Sequence, residues 1–433
     1  MRYAEALAVL DGLVDFEKQA RPRTEFKLDA IRRLLRLAGN PERQVEQVIL
    51  VAGTKGKGSV CYMLESALRA CGRRTGLFVS PHVSSVRERL QLDGHAVDKR
   101  VFAQQVERFR PLVRKQPVSY FELTAAMAFD LFARRRVDCA VVEVGLGGRL
   151  DATNLALPAV SVITRIGLDH IAVLGGSLTR IAREKAGIMR PGVPVVIGRQ
   201  PAPAEKELAR RAAAVGAEFE PVDRQLRIWD VESAETGVEF SVLGELGAGR
   251  IGLPLLGGHQ VENAATALVV LGLLARRDPG IRFEDVRAGL EQVTVPARCQ
   301  VVEHRPLLLV DSCHNPDSGQ ALARVIAEHL GSRVVLVYGS LRGKLVARTV
   351  RPLAPWVEAA VLTAPRSPRA AAPDRLRSIF TRLGVCHVVE PDIDRALAHA
   401  RRLADGKRPI VVAGSFYLAG EVLDRLGAAV DAD

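Results

Sequence analysis

The sequence predicts an α/β protein of two domains, a larger one built on a mostly parallel sheet and a smaller Rossmann-like one at the C-terminal end. At 433 residues the chain exceeds what one hydrophobic core usually organises. From about Gln47 onward, short β-branched runs alternate with helical patterns, which is typical of parallel sheets covered by helices on both faces. The pattern restarts after Pro296, so we expect the domains to span residues 1–296 and 297–433.

The first domain is predicted to begin with strand Gln47–Ala52, a glycine-rich turn and a helix over about Lys57–Ala70. Its next elements are expected in the order strand Thr75–Val79, a helix opened by Ser119 and ending near Arg135, strands Cys139–Val144 and Ala159–Thr164, and a helix over Leu178–Ala186. Alternating runs between Arg224 and Leu253 predict antiparallel hairpins. Helices are expected again over His259–Ala275 and Phe283–Gln292.

The second domain repeats the strand–helix alternation from Leu307 onward. Its apolar runs are LLLVD, RVVLVYG, AAVLTA, CHVV and PIVVAG, and each is followed by a helical segment. This order predicts a Rossmann-like sheet of about five strands.

The composition is that of a globular protein. Apolar residues make up 48% and charged residues 25% of the chain, which excludes disorder as its main state. The net charge of +12 fits either a polyanionic partner or simply an arginine-rich proteome. Because aromatic residues are only 5% and no basic stripe carries them, we expect small anionic ligands and no nucleic acid.

The cysteines and the apolar runs indicate the cellular compartment of the protein. The six cysteines include no CxxC pair, which argues against a zinc site or a disulfide framework and suits a reducing compartment. Charges interrupt the apolar residues from Met1 to Arg21, so no signal peptide is expected. The longest apolar run, Ala264–Ala275, is too short to span a bilayer. The sequence therefore predicts a cytoplasmic protein without a membrane partner.

The turn after the first strand, Gly53-Thr54-Lys55-Gly56-Lys57-Gly58-Ser59, predicts a phosphate-binding loop. Its glycines let backbone amides turn inward, the following helix adds its dipole, Lys57 supplies a charge and the Ser59 hydroxyl suits magnesium. The spacing departs from the common P-loop, because a glycine separates the lysine from the serine. A turn without chemical meaning is the alternative, which the strand–turn–helix context disfavours.

Three polar residues follow predicted strands, where ligands of open α/β sheets bind: Ser80, Glu143 and His170. Each has an ordinary explanation, namely a turn, a strand end held by amides, and a hydrogen bond in the core. However, burying the Glu143 carboxylate is costly without a cation. With Ser59 they form an oxygen-rich set that suits Mg²⁺, His170 being an unusual nitrogen ligand.

Pattern alone leaves three other features unassigned. Lys185 lies on a predicted helix, and its position predicts an ordinary lysine exposed to solvent. Ser119-x-x-Glu122 has the spacing of a capping box, and Asn315-Pro316 after Asp311 reads as a helix start.

Eight blocks between Gly53 and Glu421 are specific enough to suggest a family. They are GTKGKGS at Gly53, SPHVSSVRER at Ser80, EVGLGGRLDATN at Glu143, GLDH at Gly167, EKAGI at Glu184, GGHQVENAATA at Gly257, DSCHNP at Asp311 and GSFYLAGEV at Gly414. With them the chain resembles the folylpolyglutamate synthase/dihydrofolate synthase family of the Mur ligase superfamily. The GLGGRLDATN stretch distinguishes it best from other Mur-type ligases.

The resemblance implies a Mur-ligase-like ATPase domain followed by a Rossmann-like ligase domain, with sites between them. ATP would be bound by Gly53, Thr54, Gly56, Lys57, Gly58, Ser59, Asn263, Arg298 and Asp311. Two Mg²⁺ ions would be held by Ser59, Ser80, Glu143, His170 and Lys185, the last as a carbamate formed with CO₂ on an unprotonated amine. Phe121 and Asp151 would contact the pteroate side of the substrate, and His314 and Ser415 the glutamate side. Ser119, Glu122 and Arg149 are further expected substrate-binding residues.

The activity implied by the resemblance is ATP-dependent amide formation between L-glutamate and dihydropteroate or a folate, by a monomer, through an acyl phosphate. Lys57, Glu143, His170, Lys185 and His314 would be the catalytic residues. Two rivals are another Mur-type amino-acid ligase and a non-ligase P-loop ATPase, which substrate screens and a nucleic-acid response would separate. The chain departs from the family pattern at Lys55, where asparagine is common, and at Ser312-Cys313, where glycine and alanine are usual.

Overall fold

The computed structural model describes residues 1–15 and 27–429, so part of the Met1–Arg21 segment considered above lies outside it. The chain forms two α/β units with a small antiparallel sheet attached to the first. In the described ranges, no helix combines the length and the apolar character that crossing a bilayer requires. The predicted fold class is confirmed.

An eight-stranded sheet organises the first unit, with strand order β4-β3-β2-β5-β1-β6-β7-β8. The strands from β2 to β8 in this order run parallel, and β3 and β4 add an antiparallel edge. The strands are β1 (Gln47–Ala52), β2 (Thr75–Phe78), β3 (Gln91–Leu92), β4 (His95–Ala96), β5 (Cys139–Glu143), β6 (Val160–Ile163), β7 (Pro194–Ile197) and β8 (Glu218–Pro221).

Helices cover both faces of this sheet because its central strands are apolar on both sides. Along β1, Val48 and Leu50 enter one core while Ile49 and Val51 enter the other. The helices are α1 (Tyr3–Asp11), α2 (Asp29–Leu37), α3 (Lys57–Ala70), α4 (Lys99–Lys115), α5 (Tyr120–Arg135), α6 (Ile171–Leu174), α7 (Leu178–Lys185), α8 (Ala202–Val215), α9 (Val222–Gln225), α10 (Gly258–Ala275) and α11 (Phe283–Leu290).

The predicted hairpins are present as a three-stranded antiparallel sheet of order β11-β10-β9. Its strands are β9 (Leu226–Ala234), β10 (Gly237–Gly244) and β11 (Gly247–Leu253). The inward face, which includes Phe240 and Ile251, packs into the core beside α10 and α11.

The second unit has six strands in the order β12-β13-β17-β14-β15-β16, one more than the five expected. The additional strand is β12 (Gln300–His304), a partly exposed antiparallel edge. The others are β13 (Leu307–Val310), β14 (Val334–Tyr338), β15 (Val357–Leu362), β16 (His387–Val389) and β17 (Ile410–Ala413), with helices α12 (Pro316–Val325), α13 (Val346–Val350), α14 (Pro373–Arg382), α15 (Ile393–Ala404) and α16 (Phe416–Arg425).

Strand order decides which loops meet. In the first sheet β1 lies between β5 and β6, so the loops that follow these three strands share one edge. In the second sheet β13 and β17 are adjacent, which brings the segments after Val310 and Ala413 together. The two edges face each other, since Lys55 of the first unit lies 3.7 Å from Asp317 of the second.

Candidate active site

The loop after β1 has a backbone that only glycine allows at two positions. Gly53 and Gly56 have φ values of 152° and 84°. A Cβ on Gly53 would lie 1.8 Å from Thr164 Oγ1, and one on Gly56 would lie 2.2 Å from Asn263 Oδ1. The loop is therefore packed directly against β6 and α10, as close backbone approach to a phosphate also requires.

Neighbouring backbone groups hold this loop in place. The amides of Thr54 and Lys55 donate to the Arg165 carbonyl at 3.0 and 3.1 Å, and Thr164 Oγ1 donates to the Lys55 carbonyl at 2.8 Å. The first-turn amides of α3 (Lys57, Gly58 and the buried Ser59) have no acceptor within a helix and point toward its N-terminal end. Together with the helix dipole they form a site for an anion.

Glu143 ends β5 directly beside the loop and is 4% exposed. Its Oε1 lies 3.7 Å from Lys57 Nζ, and its Oε2 accepts the Ser80 amide at 3.0 Å. Burial raises the pKa of Glu143, while Lys57 and the Ser80 amide act in the opposite direction without cancelling that effect. The carboxylate is thus incompletely compensated, as expected of a group that shares its site with a further cation.

The helix pattern predicted a solvated Lys185, and this prediction is wrong, because the residue is 4% exposed. It lies on the buried stripe of α7, four residues after the buried Ile181, and its Nζ donates to the Gly53 carbonyl at 2.5 Å. Burial, and then the charge of Lys57, lower the pKa of Lys185 to about 7. A substantial fraction of this amine is therefore neutral at pH 7, which is the form that can react with CO₂.

Asp169 and His170 follow β6 and complete this side of the site. The His170 backbone is left-handed, with φ 47°, and its side chain is 61% exposed. Asp169 Oδ1 accepts the His170 amide at 2.9 Å. A cavity of about 50 Å³ brings these loops together, and it is lined by Gly53, Thr54, Lys57, Gly145, Leu146, Gly147, Asp169, His170, Leu174 and Lys185.

The predicted magnesium ligands fit Mg²⁺ by their chemistry. The part of the chain that the structure describes holds no cluster of three His, Cys, Asp or Glu side chains suited to a metal. Mg²⁺ does not need one, since it is commonly bound by one or two carboxylates together with waters and substrate phosphates. The buried Glu143 beside the phosphate loop would supply such a carboxylate, and a carbamate on Lys185 would supply a second.

The predicted pteroate-side residues surround the loop after β5. The Phe121 ring packs edge-on against Phe78 with centroids 5.7 Å apart, and a Cβ on Gly145 would lie 2.5 Å from it. Asp151 is buried; its Oδ2 accepts the Leu146 amide at 2.9 Å and its Oδ1 accepts the Thr153 hydroxyl at 2.6 Å. Through these hydrogen bonds Asp151 stabilises the conformation of the loop, independently of any ligand.

Three other residues of the predicted substrate set have partners in the protein. Ser119 and Glu122 form the capping box expected from their spacing, with Ser119 Oγ donating to Glu122 Oε2 at 2.7 Å. Arg149 pairs with Glu184, its Nη2 lying 3.2 Å from Oε1. These contacts account for all three side chains without a ligand and leave their substrate roles as predictions.

Across the cleft, the second unit contributes Arg298, Asp311, His314 and Ser415. The Arg298 guanidinium lies 5.1 Å from the Phe416 ring centroid, and Asp311 accepts the amides of Cys299 and Cys313 at 2.9 and 2.7 Å. Ser415 caps α16 and is buried, and the predicted cap at Asn315 is present on α12.

His314 directly precedes the cap of α12, and its surroundings favour the neutral imidazole. Its Nδ1 lies 3.0 Å from the Ser312 carbonyl and therefore donates to it, which leaves Nε2 as an acceptor. Burial, followed by the charge of Lys344, lowers the pKa of His314 to about 4. Sequence reasoning missed Lys344, because its loop carries no recognisable motif; its own pKa is lowered by burial.

Known proteins resemble this chain over nearly its whole length. Residues 51–271 match the Mur ligase middle domain, and residues 297–416 match the glutamate ligase domain of Mur ligases. The chain is 34% identical over 432 residues to a probable bifunctional folylpolyglutamate synthase/dihydropteroate synthase of Haloferax volcanii, covering 97% of this chain and 50% of that protein. It is 30% identical over 451 residues to folylpolyglutamate synthase of Lacticaseibacillus casei, covering 98% of this chain and 99% of that protein.

A solved structure agrees with these sequence matches. Mycobacterium tuberculosis folylpolyglutamate synthase complexed with ADP superposes with a TM-score of 0.88 at 32% identity, covering 98% of both chains. This chain spans about half the length of the Haloferax volcanii relative and of a similarly named relative from Halobacterium salinarum, 50% and 52%, and nearly all of the Lacticaseibacillus casei and Mycobacterium tuberculosis proteins.

Proposed function

The chain belongs to the folylpolyglutamate synthase/dihydrofolate synthase family of Mur ligases, and from this we propose that it joins L-glutamate to a folate-type carboxylate with consumption of ATP. The acceptor would be dihydropteroate or a reduced folate. One observation carries the proposal: the phosphate loop, the buried Glu143 and the buried Lys185 lie together in the first domain, and Asp317, three residues after His314, lies 3.7 Å from Lys55 of that loop. We place the boundary between the two domains after residue 296.

In this proposal the phosphate loop binds the β- and γ-phosphates of ATP. Gly56, Lys57, Gly58 and Ser59 would present amides and the Lys57 ammonium, while Gly53 and Thr54 shape the turn. The remainder of the nucleotide would be contacted by Asn263, Arg298 and Asp311. Asn263 already lies against Gly56, and the Arg298 guanidinium already lies over an aromatic ring.

Ser59, Ser80, Glu143 and His170 would hold Mg²⁺, and the Lys185 carbamate would hold a second ion. Bound magnesium would neutralise charge on the transferring phosphoryl group. The protein residues themselves have distinct tasks. Burial raises the pKa of Glu143, so a bound cation would favour its charged form. Burial lowers the pKa of Lys185 to about 7, and addition of CO₂ to its neutral amine, with loss of a proton, would give a carboxylate.

The chemistry proceeds in two steps. An oxygen of the acceptor carboxylate attacks the γ-phosphorus, the bond to the β-phosphate oxygen breaks, and ADP leaves with that electron pair. The glutamate amine then attacks the acyl carbon of the acyl phosphate, and inorganic phosphate leaves from the tetrahedral intermediate. The amine gives up its proton, so the products are amide, ADP and phosphate. Lys57 stabilises developing charge on the phosphoryl oxygens.

The second domain would supply the glutamate. His314 is neutral at pH 7 because its pKa is about 4, so Nε2 can accept a hydrogen bond from the incoming amine. Ser415 at the start of α16 would contact the same substrate. Phe121 and Asp151 would contact the pteroate portion, with Ser119, Glu122 and Arg149 near it. Closure of the two domains would exclude water, which would otherwise hydrolyse the acyl phosphate.

We also propose that the protein acts as a monomer in the cytoplasm on these small molecules, without nucleic-acid or membrane partners. All six cysteines are free thiols, in agreement with a reducing compartment.

Product analysis tests the function directly. The protein is incubated with Mg²⁺, ATP and L-glutamate and with either dihydropteroate or tetrahydrofolate, and products are separated by mass. We expect one glutamyl unit on at least one acceptor, with one ADP formed for each amide. ATP hydrolysis that is independent of both acceptors, or ligation of another amino acid in place of glutamate, would overturn the proposal. A response of ATP hydrolysis to DNA or RNA would instead favour a nucleic-acid-dependent ATPase.

A further inference from the structure

Lys55 is the one residue of the phosphate loop sequence that the proposed ATP site leaves without a task. Its backbone is fixed to the first domain: its amide donates to the Arg165 carbonyl at 3.1 Å, and its carbonyl accepts the Thr164 hydroxyl at 2.8 Å. Its side chain is 37% exposed and extends away from this anchor. A contact that the Lys55 ammonium makes therefore bears directly on the position of the phosphate loop.

The Lys55 ammonium lies between two carboxylates that belong to different domains. Nζ is 3.5 Å from Asp169 Oδ2 in the first domain and 3.7 Å from Asp317 Oδ2 in the second. Burial alone would raise the pKa of Asp169, but Lys55 and His170 beside it bring that pKa below its ordinary value. We call the group of Lys55, Asp169 and Asp317 the Lys55 clasp.

The ion pair between Lys55 and Asp317 matters because Asp317 lies close to His314 in the second domain. Asp317 lies in the first turn of α12, which Asn315 caps by accepting the Ser318 amide at 2.9 Å. His314 directly precedes this cap, and its amide donates to Ser318 Oγ at 3.1 Å. His314 is therefore hydrogen-bonded to the first turn of α12, which also carries Asp317. A movement of this turn relative to Lys55 would also move His314 relative to the phosphate loop.

We propose that Lys55 is a positioning residue, which ties the phosphate loop to α12 through Asp317 and thereby favours the closed arrangement of the cleft. Its effect on ligation rests on the proposed function, but the contact itself does not. An exposed ion pair shifts an equilibrium by roughly two- to five-fold, and high salt screens it. The alternative is that Lys55 acts on the nucleotide phosphates alone.

Zero-length cross-linking tests the contact without requiring activity. A carbodiimide joins a lysine amine to a carboxylate only when the two are in contact, and peptide mass spectrometry identifies the pair. We expect a Lys55–Asp317 cross-link in the full-length protein, lost in Lys55→Met and in Asp317→Asn. If Lys55 is found joined to Asp169 and never to Asp317, the proposal is overturned.

A double-mutant cycle then tests the consequence for ligation. Lys55→Met and Asp317→Asn should each raise KM for glutamate about two- to five-fold at low salt, the double variant should be no worse than either, and Lys55→Arg should restore most of the loss. The Kd for ADP should stay within two-fold of the wild-type value. Lys407→Met, which removes an exposed ion pair with Asp405 in the second domain, serves as the matched control.

Two results would contradict the clasp. Additive effects of the two single variants would show that Lys55 and Asp317 act separately, and a loss confined to ADP or ATP affinity would assign Lys55 to the phosphates. A wild-type protein that fails to ligate glutamate would defeat the proposed function, whereas the cross-link would still report on the clasp.

Discussion

Among single residues, Lys185 carries the most specific expectation, because its burial disfavours the charge that lysine normally bears. A carbamate would place a carboxylate there. Lys185→Arg should lose nearly all ligation, since a guanidinium stays protonated and cannot form the adduct. Lys185→Ala should also be nearly inactive but should regain part of its rate with formate or acetate, which can occupy the vacated space. An active Lys185→Arg enzyme in the product assay would contradict this role.

The same burial predicts how stability depends on pH. The pKa of Lys185 is about 7 in the folded protein against an ordinary 10.5, so between these values the unfolded chain binds more protons. The free energy of unfolding should therefore gain a contribution from Lys185 as pH rises from 7 toward 10, and this contribution should be absent below about pH 7, where both states bind the proton. In buffers freed of CO₂, Tm of Lys185→Met relative to wild type should be highest at pH 6 and fall as pH rises. Parallel Tm curves would show that Lys185 is not titrating in this range.

Glu143 and His170 should serve the metal more than the core. Glu143→Gln and His170→Ala should each raise the Mg²⁺ concentration that gives half-maximal ligation by about tenfold or more, with only a small change in Tm. Magnesium titration and thermal unfolding of the same samples measure the two effects. A much lower Tm with unchanged magnesium dependence would identify the residue as structural.

The burial of a charged residue could be predicted from the sequence where its charge stood alone in an apolar run. Glu143 in CAVVEV is such a case: it is buried as expected, and its Oε1 lies 3.7 Å from Lys57 Nζ. Lys185 could not be predicted in this way, because lysine on a helix is usually solvated. Only the resemblance singled it out, although Ile181 one turn earlier marks the same face as buried.

At the scale of elements, the loop after β5 and the first turn of α5 shape one wall of the cleft together. Gly145→Ala would drive a Cβ to within 2.5 Å of the Phe121 ring and displace it. We expect this variant to raise KM for dihydropteroate roughly tenfold to 100-fold, because a displacement of about 1 Å is costly at a binding site. Phe121→Ala should resemble it, while KM for ATP should change little. Equal increases for ATP, glutamate and dihydropteroate would indicate a packing defect instead.

Elements with a strong pattern were predicted well. The observed bounds of β1 and α3 are those expected, because β1 is a continuous apolar run and α3 follows a glycine turn. The sequence pattern did not reveal α4 or β12. Charged residues and the internal Pro111 obscure the apolar stripe of α4, and β12 is a half-exposed edge without alternation.

At the scale of the whole molecule, sequence indicated two α/β units but not how they face each other. Strand order brings the ends of β1, β5 and β6 together, and no local pattern encodes that order. The approach of Asp317 to Lys55 depends on the packing of both domains. The proposed mechanism needs this approach, since it assigns the ATP phosphates to the first domain and glutamate to the second.

In the proposed mechanism the acceptor carboxylate takes the γ-phosphoryl group before glutamate attacks. Dihydropteroate labelled with heavy oxygen in its carboxylate, or a labelled reduced folate if that is the acceptor used, tests it in one measurement. We expect one labelled oxygen in inorganic phosphate for each amide formed, and Lys57→Ala should lower this transfer by about 100-fold or more in a folded protein. Amide formed without label in phosphate, or label recovered in AMP, would contradict the acyl-phosphate mechanism.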